Sequence, residues 1–313
     1  MEKVSILIPC FNADRWIAPA IKSALAQTWQ NKEVIVVDDG SSDGSREVIQ
    51  SFGDKIRYEF GPNRGSNPCR NRLLELASGE WVQFLDADDE LLPNKVEIQL
   101  NNTAEDVDAV YGGVTLEWWK NGHLSKREIS SPQSEQSPVM HWMCWQLAHT
   151  GAVIWRKQSL KKIGGWNETF PCCQDNEVCM RGIQRGLKFK LSNDVGSLYR
   201  NWSATSVSKK DLKQLVAVKT KLLDEMIDWL RSTGELNAEH LRLAGKACFA
   251  LARQLAIEHR SAAFTYAEER MQKGLFDVSM APLSFRLVSI FLGYRLTETL
   301  AAKRRGLFST FSY

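Results

Sequence analysis

The stretch Trp81–Leu92, WVQFLDADDELL, runs five residues suited to a buried strand directly into Asp86, Asp88, Asp89 and Glu90. Burying unpaired carboxylates is costly, and massing like charges adds to that cost, so a positive partner is implied. Asp86 and Asp88 stand two apart at a strand end, and in extended geometry both side chains point to one side. Two carboxylates on one side suit a hard divalent cation, Mg²⁺ or Mn²⁺, and leave coordination positions for substrate phosphates. The alternative is a solvated turn in which Asp89 and Glu90 cap the helix that Pro93 begins.

A second acidic stretch is Asp38–Asp39–Gly40–Ser41–Ser42–Asp43–Gly44. Counted from Asp39 it has the opening of a calcium EF-hand loop. The twelfth position is Gln50 instead of a bidentate Glu, and a strand precedes it, so that reading is rejected. A turn in which Gly40 relieves backbone crowding and Asp39 accepts from a base or ribose fits a nucleotide site. A plain strand-to-helix turn is the alternative.

The elements that must position these acids alternate over the first hundred residues. KVSILIP (3–9), KEVIVVDD (32–39), KIRYEF (55–60) and the run at 80–85 predict strands. Helices are predicted at 13–27, which includes Pro19, near 43–52, and at 67–80 with Gly79 ending it. This alternation means right-handed crossovers and a mostly parallel α/β sheet, with ligands beyond the carboxyl ends of the strands, where Asp38, Asp39, Asp86 and Asp88 fall. Residues 106–200 carry shorter strands (DAVYGGVTLEWW, GAVIW, LKFKL, VGSLYR), a polar loop around 130–138 and many tryptophans. From about 209 the pattern is helical: Leu212, Leu215, Val216, Leu222, Leu223, Met226, Ile227 and Leu230 form one apolar face. Leu241, Ala244, Cys248, Leu251 and Leu255 form a second. The expected organisation is a first domain over 1–205, with halves at about 1–105 and 106–205, and a helical domain over 206–313.

The chain has 313 residues, 43% hydrophobic and 25% charged, with a formal net charge of +3, too small to argue for nucleic acid as a partner. No G-x-G-x-x-G follows a strand, which excludes the usual dehydrogenase site. Seven cysteines without a CxxC pair, and no signal-peptide pattern, predict a reducing, cytoplasmic setting. No apolar run is long enough to span a membrane. Leu287, Ile290, Phe291, Tyr294 and Leu300 keep helical spacing ahead of Lys303, Arg304 and Arg305, with Leu307 and Phe308 beyond. That stripe suits packing on the preceding helices, a homo-oligomer interface, or peripheral docking on an anionic bilayer at the inner face of the membrane.

VSILIPCFNA, VIVVDDGSSDGS, NRGSNPCRNRLLELASGEWVQFLDADD, GGWNETF and QDNEVCMRGIQRG together resemble an inverting glycosyltransferase of family two, in order and spacing over about residues 3–200. The resemblance implies a GT-A fold, a Rossmann-like mixed sheet, and transfer of a sugar from a nucleotide-sugar donor to a glycan, glycolipid or protein hydroxyl, as in surface polysaccharide assembly. UDP is the family's commonest donor nucleotide, and Mn²⁺ or Mg²⁺ its cofactor. It puts Pro9, Phe11 and Asp39 around the base with Asn12 nearby, and Arg70 at the base or diphosphate. By the same resemblance Asp86 is expected to face the ribose and metal, and Asp88 to ligate the metal. Arg64 and Arg72 are weaker candidates that surface salt bridges explain as well. The resemblance implies Asp175 as the catalytic base, with Gln174 where the family usually has its Glu neighbour and Glu177 as the alternative. A carboxylate at a helix start is expected to have its pKa lowered by the helix dipole. Trp202 stands where relatives often carry a metal-ligating His. The adjacent Cys172 and Cys173 are expected as thiols. A phosphotransferase with an aspartate nucleophile would need its D-x-D loop on the first strand, not the fourth. A nucleotide-sugar-binding member without turnover stays open because of Gln174.

Overall fold

The structure is a computed structural model. It describes residues 2–101, 103–120, 122–133, 136–147, 149–202 and 211–309, the last segment without the side chains at 288, 290–292 and 302–309. The chain divides into two compact units, Met1–Ser206 and Val207–Tyr313.

In the first unit β1 (Val4–Cys10), α1 (Ile17–Leu25), β2 (Lys32–Asp38), α2 (Ser45–Gln50), β3 (Arg57–Phe60), α3 (Ser66–Leu76) and β4 (Trp81–Phe84) follow the alternation of the apolar runs. They continue into β5 (Glu90–Leu91), α4 (Lys95–Leu100), β6 (Ala109–Lys120), β7 (His123–Ser130) and α5 (Pro138–Met143). β8 (Val153–Arg156), α6 (Lys157–Lys162), α7 (Gln174–Gln184) and β9 (Phe189–Asn201) complete the unit. Among the described residues the strands make one mixed sheet in the order β3-β2-β1-β4-β8-β6-β9-β5, with β7 on β6. Val4 is level with Lys32 of β2 on one side and Trp81 of β4 on the other, both pairings parallel. The direction reverses at β8, which runs antiparallel to β4 and β6. β1 is buried along nearly its whole length, as a central parallel strand must be. Its Ile6 and Ile8 share a core with Ile17 and Ile21 of α1, all without solvent exposure. Each such side chain contributes roughly 1.5–3 kcal/mol by leaving water.

Several elements differ from expectation for local physical reasons. α1 begins at Ile17, so Pro19 falls in its first turn, where a missing N–H costs nothing. α3 ends at Leu76, before Gly79. The glycine serves the sheet instead: a Cβ there would sit 2.7 Å from the Lys3 carbonyl and the Ser5 amide. LKFKL and VGSLYR join into the single strand β9. β7 has almost every side chain exposed, so HLSKREIS carries no alternation by which to recognise it. Asp89 and Glu90 do not cap α4, which is preceded by Asn94.

Glu33, at the start of β2, ties this edge of the sheet together. Its carboxylate accepts from Ser5 Oγ at 2.6 Å, Ser78 N at 2.7 Å and Lys3 Nζ at 3.1 Å. Burial opposes its ionisation, but these donors outweigh burial and hold its pKa at about 2. A carboxylate depressed in the folded state stabilises above its unfolded pKa, and the gain is lost as pH falls from about 4.5 through about 2. Glu33→Gln is therefore expected to lower unfolding free energy at pH 7 by about 2–3 kcal/mol, read from the urea midpoint, and to flatten the acid dependence below pH 5.

The second unit contains α8 (Leu212–Ser232), α9 (Ala238–Leu255), α10 (Arg260–Gln272) and α11 (Leu283–Ser309). Leu215, Val216, Leu222, Leu223, Met226, Ile227 and Leu230 are buried along α8. In α9 the inward face runs through Leu243, while Leu241, expected inside, is exposed. α11 is broken at Gly293, whose φ of 70° is left-handed, so 283–300 is not one continuous stripe. Tyr294 is buried among Phe249, Phe276 and Phe285, whereas Leu287 and Leu300 are exposed. The side chains of Ile290, Phe291, Lys303, Arg304, Arg305, Leu307 and Phe308 lie outside those described. Among the described residues no helix is long and apolar enough to cross a membrane.

Candidate active site

The carboxyl ends of β1, β2 and β4 converge with the start of α7. At the β1–β2 crossing the Asp39 amide donates to the Cys10 carbonyl at 2.8 Å. Asn12, in a left-handed conformation with φ 49°, accepts from the Ser42 amide at 2.8 Å and donates its own amide to Ser41 Oγ at 2.9 Å. Asn12 thus shapes the 41–42 loop with its side chain. Phe11 beside it is half exposed (51%), an aromatic face open at a strand end, and Pro9 is partly buried in β1. The buried Asp39 accepts from the amides of Arg64 and Gly65, each at 2.8 Å. A carboxylate has about four acceptor positions, so the two amides leave Asp39 able to accept from a ligand. Gly40 (φ 78°) allows this closure: a Cβ would lie 2.6 Å from the Asn63 amide. Of the weaker candidates, Arg64 is exposed and contributes its backbone, and Arg72 is a surface residue paired with Glu59 and Glu75.

Asp86 and Asp88 come together by a turn, not by strand alternation. β4 ends at Phe84, and the Asp89 amide closes on the Asp86 carbonyl at 3.0 Å. Asp86 Oδ1 receives Arg70 Nη2 at 2.6 Å, and Asp88 Oδ2 receives the Trp202 indole N–H at 2.8 Å. No other side chain among the described residues binds the remaining oxygen of either. Burial, and then the neighbouring Asp86, raise the pKa of Asp88. Asp89 is buried and accepts from the Arg200 amide at 2.8 Å; burial and the charges of Asp88 and Asp86 push its pKa well up. The Arg200 guanidinium holds Glu90 and donates to the Asp88 carbonyl at 3.1 Å.

Arg70 links these acids to α7. It is buried, lies 4.9 Å over the Trp166 ring, and its Nε has no hydrogen-bond partner among the described residues. Burial works against its charge, but Asp86 and then Asp175 outweigh burial and raise its pKa. Asp175 is the second residue of α7 and accepts from Thr150 Oγ1 at 2.8 Å. Its pKa is raised to about 6, by burial first; Arg70 opposes the rise and Asp86 adds to it. The expected lowering by the helix dipole is thus overridden by desolvation and a like charge. Asp175 also lines a narrow cleft with Phe84, His149, Thr150, Trp155 and Trp166. Gln174 turns away to Ser66 at 3.3 Å, and Glu177 is tied to Arg181 at 2.7 Å, so Glu177 is engaged in packing α7. The Cys172 and Cys173 sulfurs are 3.8 Å apart as thiols. Thr150, Trp166 and Arg200 were not singled out from the sequence, since an ordinary Thr, Trp or Arg in a strand or turn carries no local mark of what it will touch.

The Glycosyl transferase family 2 model matches residues 5–174, more than half of the chain. The chain belongs to glycosyl transferase family 2. Among its relatives, the GalNAc(5)-diNAcBac-PP-undecaprenol beta-1,3-glucosyltransferase of Campylobacter jejuni is 39% identical over 177 residues, 54% of this chain and 56% of that protein. The uncharacterized glycosyltransferase RC0461 of Rickettsia conorii is 34% identical over 182 residues, 56% of this chain and 30% of that protein. The chain therefore spans between about a third and somewhat over half of such relatives. Staphylococcus aureus TarS 1–349 in complex with UDP-GlcNAc superposes with a TM-score of 0.60 at 17% identity, over 87% of this chain and 92% of that one. The mannosyltransferase PcManGT of Pyrobaculum calidifontis, in complex with GDP-Man and Mn²⁺, gives a TM-score of 0.51 at 16% identity, over 98% and 88%. These two likenesses establish the GT-A fold.

Within the family 2 fold, the residues present fit a divalent cation. Asp86 and Asp88 each keep one oxygen uncommitted to a side chain, and burial, then the charge of Asp86, raise the pKa of Asp88, a cost to its ionised form that a cation would offset. Among the described residues no group of three or more His, Cys, Asp or Glu side chains could hold a metal alone. A cation here would complete its shell with phosphate oxygens and water, as small hard cations do.

Proposed function

We propose that this chain is a metal-dependent inverting glycosyltransferase that moves a hexose from a nucleotide-sugar to an acceptor hydroxyl. The observation that carries the reading is Arg70, buried between Asp86 and Asp175 and raised in pKa by both, which joins the cation acids to the candidate base in one charged row. Asp175 takes the proton of the acceptor hydroxyl, whose oxygen bonds to the anomeric carbon as the bond to the diphosphate breaks on the opposite face. A base with a pKa of about 6 is mostly ionised at neutral pH yet basic enough to accept a proton in the transition state. Bound Mn²⁺ or Mg²⁺ supplies neutralisation of the charge growing on the departing diphosphate. Phe11 offers its open face to the base, with Pro9 beside it; Asp39 accepts from the base or ribose, and Asn12 sets the loop. Arg70 orients Asp86 toward ribose and metal.

UDP is the favoured nucleotide, supported by the UDP-GlcNAc bound to TarS; the GDP-Man of PcManGT makes GDP the competing choice. The name of the Campylobacter jejuni relative, a glucosyl addition to a polyprenyl-diphosphate-linked glycan, supports a glycan or glycolipid acceptor over a protein one. Such an acceptor fits work at the cytoplasmic face of a membrane, through peripheral contact or a C-terminal dimer. A binding protein without turnover is the second reading. Its basis is the missing Glu; the buried Asp175, accepting from Thr150 beside Arg70, supports the first reading over it.

The test is a thermal-shift screen of UDP- and GDP-sugars with Mn²⁺, followed by detection of released nucleotide and of product anomeric configuration by NMR. A donor at 100 times its Kd is expected to add about 2.7 kcal/mol, roughly 5–10 °C. Nucleotide release should follow, with an α-linked donor giving a β-linked product. Binding without release over long incubation with acceptor glycans selects the second reading, and retention of configuration overturns the first.

A further inference from the structure

Trp202 occupies a position that bears on the cation without being able to touch it chemically. An indole is a donor only and cannot ligate a metal. It sits 2.8 Å from Asp88 Oδ2 by its N–H. Its ring is not loose: Trp16 lies against both Trp119 and Trp202, with centroids 5.6 Å apart in each case. Arg200 stacks over Trp16 at 5.0 Å and reaches Glu117 at 3.7 Å, while the Trp119 indole donates to the same Glu117 at 2.9 Å. Glu117 and Arg200 are both buried at their charged ends. The end of β9 therefore holds the acid turn at three successive residues: Asp88 through Trp202, Asp89 through the Arg200 amide, and Glu90 through the Arg200 guanidinium.

We propose that Trp202 is a positioning residue for the donor's cation: its N–H fixes one oxygen of Asp88, so that the other is presented to the metal in a single orientation. This rests on the metal-dependent reading given above. The physical reason is that a carboxylate on a turn has a broad terminal torsion, and a site with only two protein carboxylates depends heavily on each one's orientation. Groups that orient a ligand typically govern metal affinity by 10–100-fold. The surrounding tryptophans and Arg200 supply the rigidity that a lone hydrogen bond lacks.

The experiment uses Trp202→Phe, which keeps a ring against Trp16 and loses the N–H. Binding of UDP and of GDP is measured by calorimetry in Mn²⁺ and in EDTA on the full chain, alongside melting temperature and kcat and KM. For the nucleotide that binds, Trp202→Phe is expected to weaken binding in Mn²⁺ by about 10-fold or more, leave binding in EDTA unchanged, and melt close to the parent. If Trp202→Phe fails to fold, incorporation of benzothienylalanine at position 202, which replaces only the N–H by sulfur, carries the comparison. Unchanged Mn²⁺-dependent binding in the variant lacking the N–H, while Asp88→Asn loses it, overturns the proposal alone. If the parent protein binds neither nucleotide, or binds one equally in Mn²⁺ and EDTA, the metal-dependent reading and this proposal fall together.

Discussion

Asp175→Asn is expected to lower kcat by about 10²–10⁴-fold, the range lost with a general base, while the Kd for the nucleotide-sugar stays near that of the parent. Asp175 lines the cleft with Thr150 and Trp166, a cleft that neither Asn12 nor Asp39 lines, so donor affinity and turnover should separate. The parent's kcat/KM should fall on acidification with an apparent pKa of about 6, since protonated Asp175 cannot accept the acceptor's proton. The stability effect has the opposite sign. A carboxyl whose folded pKa is raised penalises the native state where it is ionised, above pH 6, and the penalty fades as pH falls toward the unfolded value of 3.8. Asp175→Asn should therefore leave the unfolding free energy at pH 7 unchanged or raised, by up to about 3 kcal/mol, with a melting temperature no lower than the parent's. A variant that loses donor binding or melts lower would make Asp175 a structural residue.

Asp88→Asn should cost about 3–4 kcal/mol of transition-state stabilisation, about 10²–10³-fold in kcat, together with Mn²⁺-dependent donor binding. The amide oxygen of Asn can still accept from Trp202, and the neutral side chain suits a site whose burial already raises the carboxyl's pKa, so the fold should be kept. EDTA treatment of the parent should give a comparable loss that added Mn²⁺ restores. Full activity in EDTA, or near-normal activity of Asp88→Asn in Mn²⁺, would falsify the cation assignment.

Much of the parallel half was legible because β1, β2 and β4 are buried apolar strands, two of which run into acids, Asp38 at the end of β2 and Asp86 after β4, and position along such a strand fixes which end faces a ligand. The local turn at Asp39–Gly40 was legible for the same reason, since glycine and aspartate mark backbone that leaves the extended region. What could not be read was anything decided by pairing at a distance. Asp86 and Asp88 were placed on one side by strand alternation, but a turn closed by Asp89 brings them together. The helix dipole was given control of Asp175, because nothing within α7 reveals that Arg70, Asp86 and Thr150 enclose it. The polar strand β7 exists because β6 offers it a ladder, and its own residues do not specify a strand face.

The bracket that β9 places on the acid turn has a consequence for how the protein is made. The Asp89 carboxylate is met by an amide 111 residues later in the chain, and the Asp88 carboxylate by an indole 114 residues later. Contacts of such separation form late, since loop closure must precede their reward. During synthesis, β1 to β4 leave the ribosome long before Trp202, so the nascent sheet carries its crowded carboxylates without the donors that restrain them. A chain stopped at residue 174, where the match to the family model ends, would retain the acids and lack Asp175, Arg200 and Trp202. The candidate site is thus among the last parts of the first unit to be assembled, and on the proposed function it becomes competent only once β9 has been threaded into place beside β6.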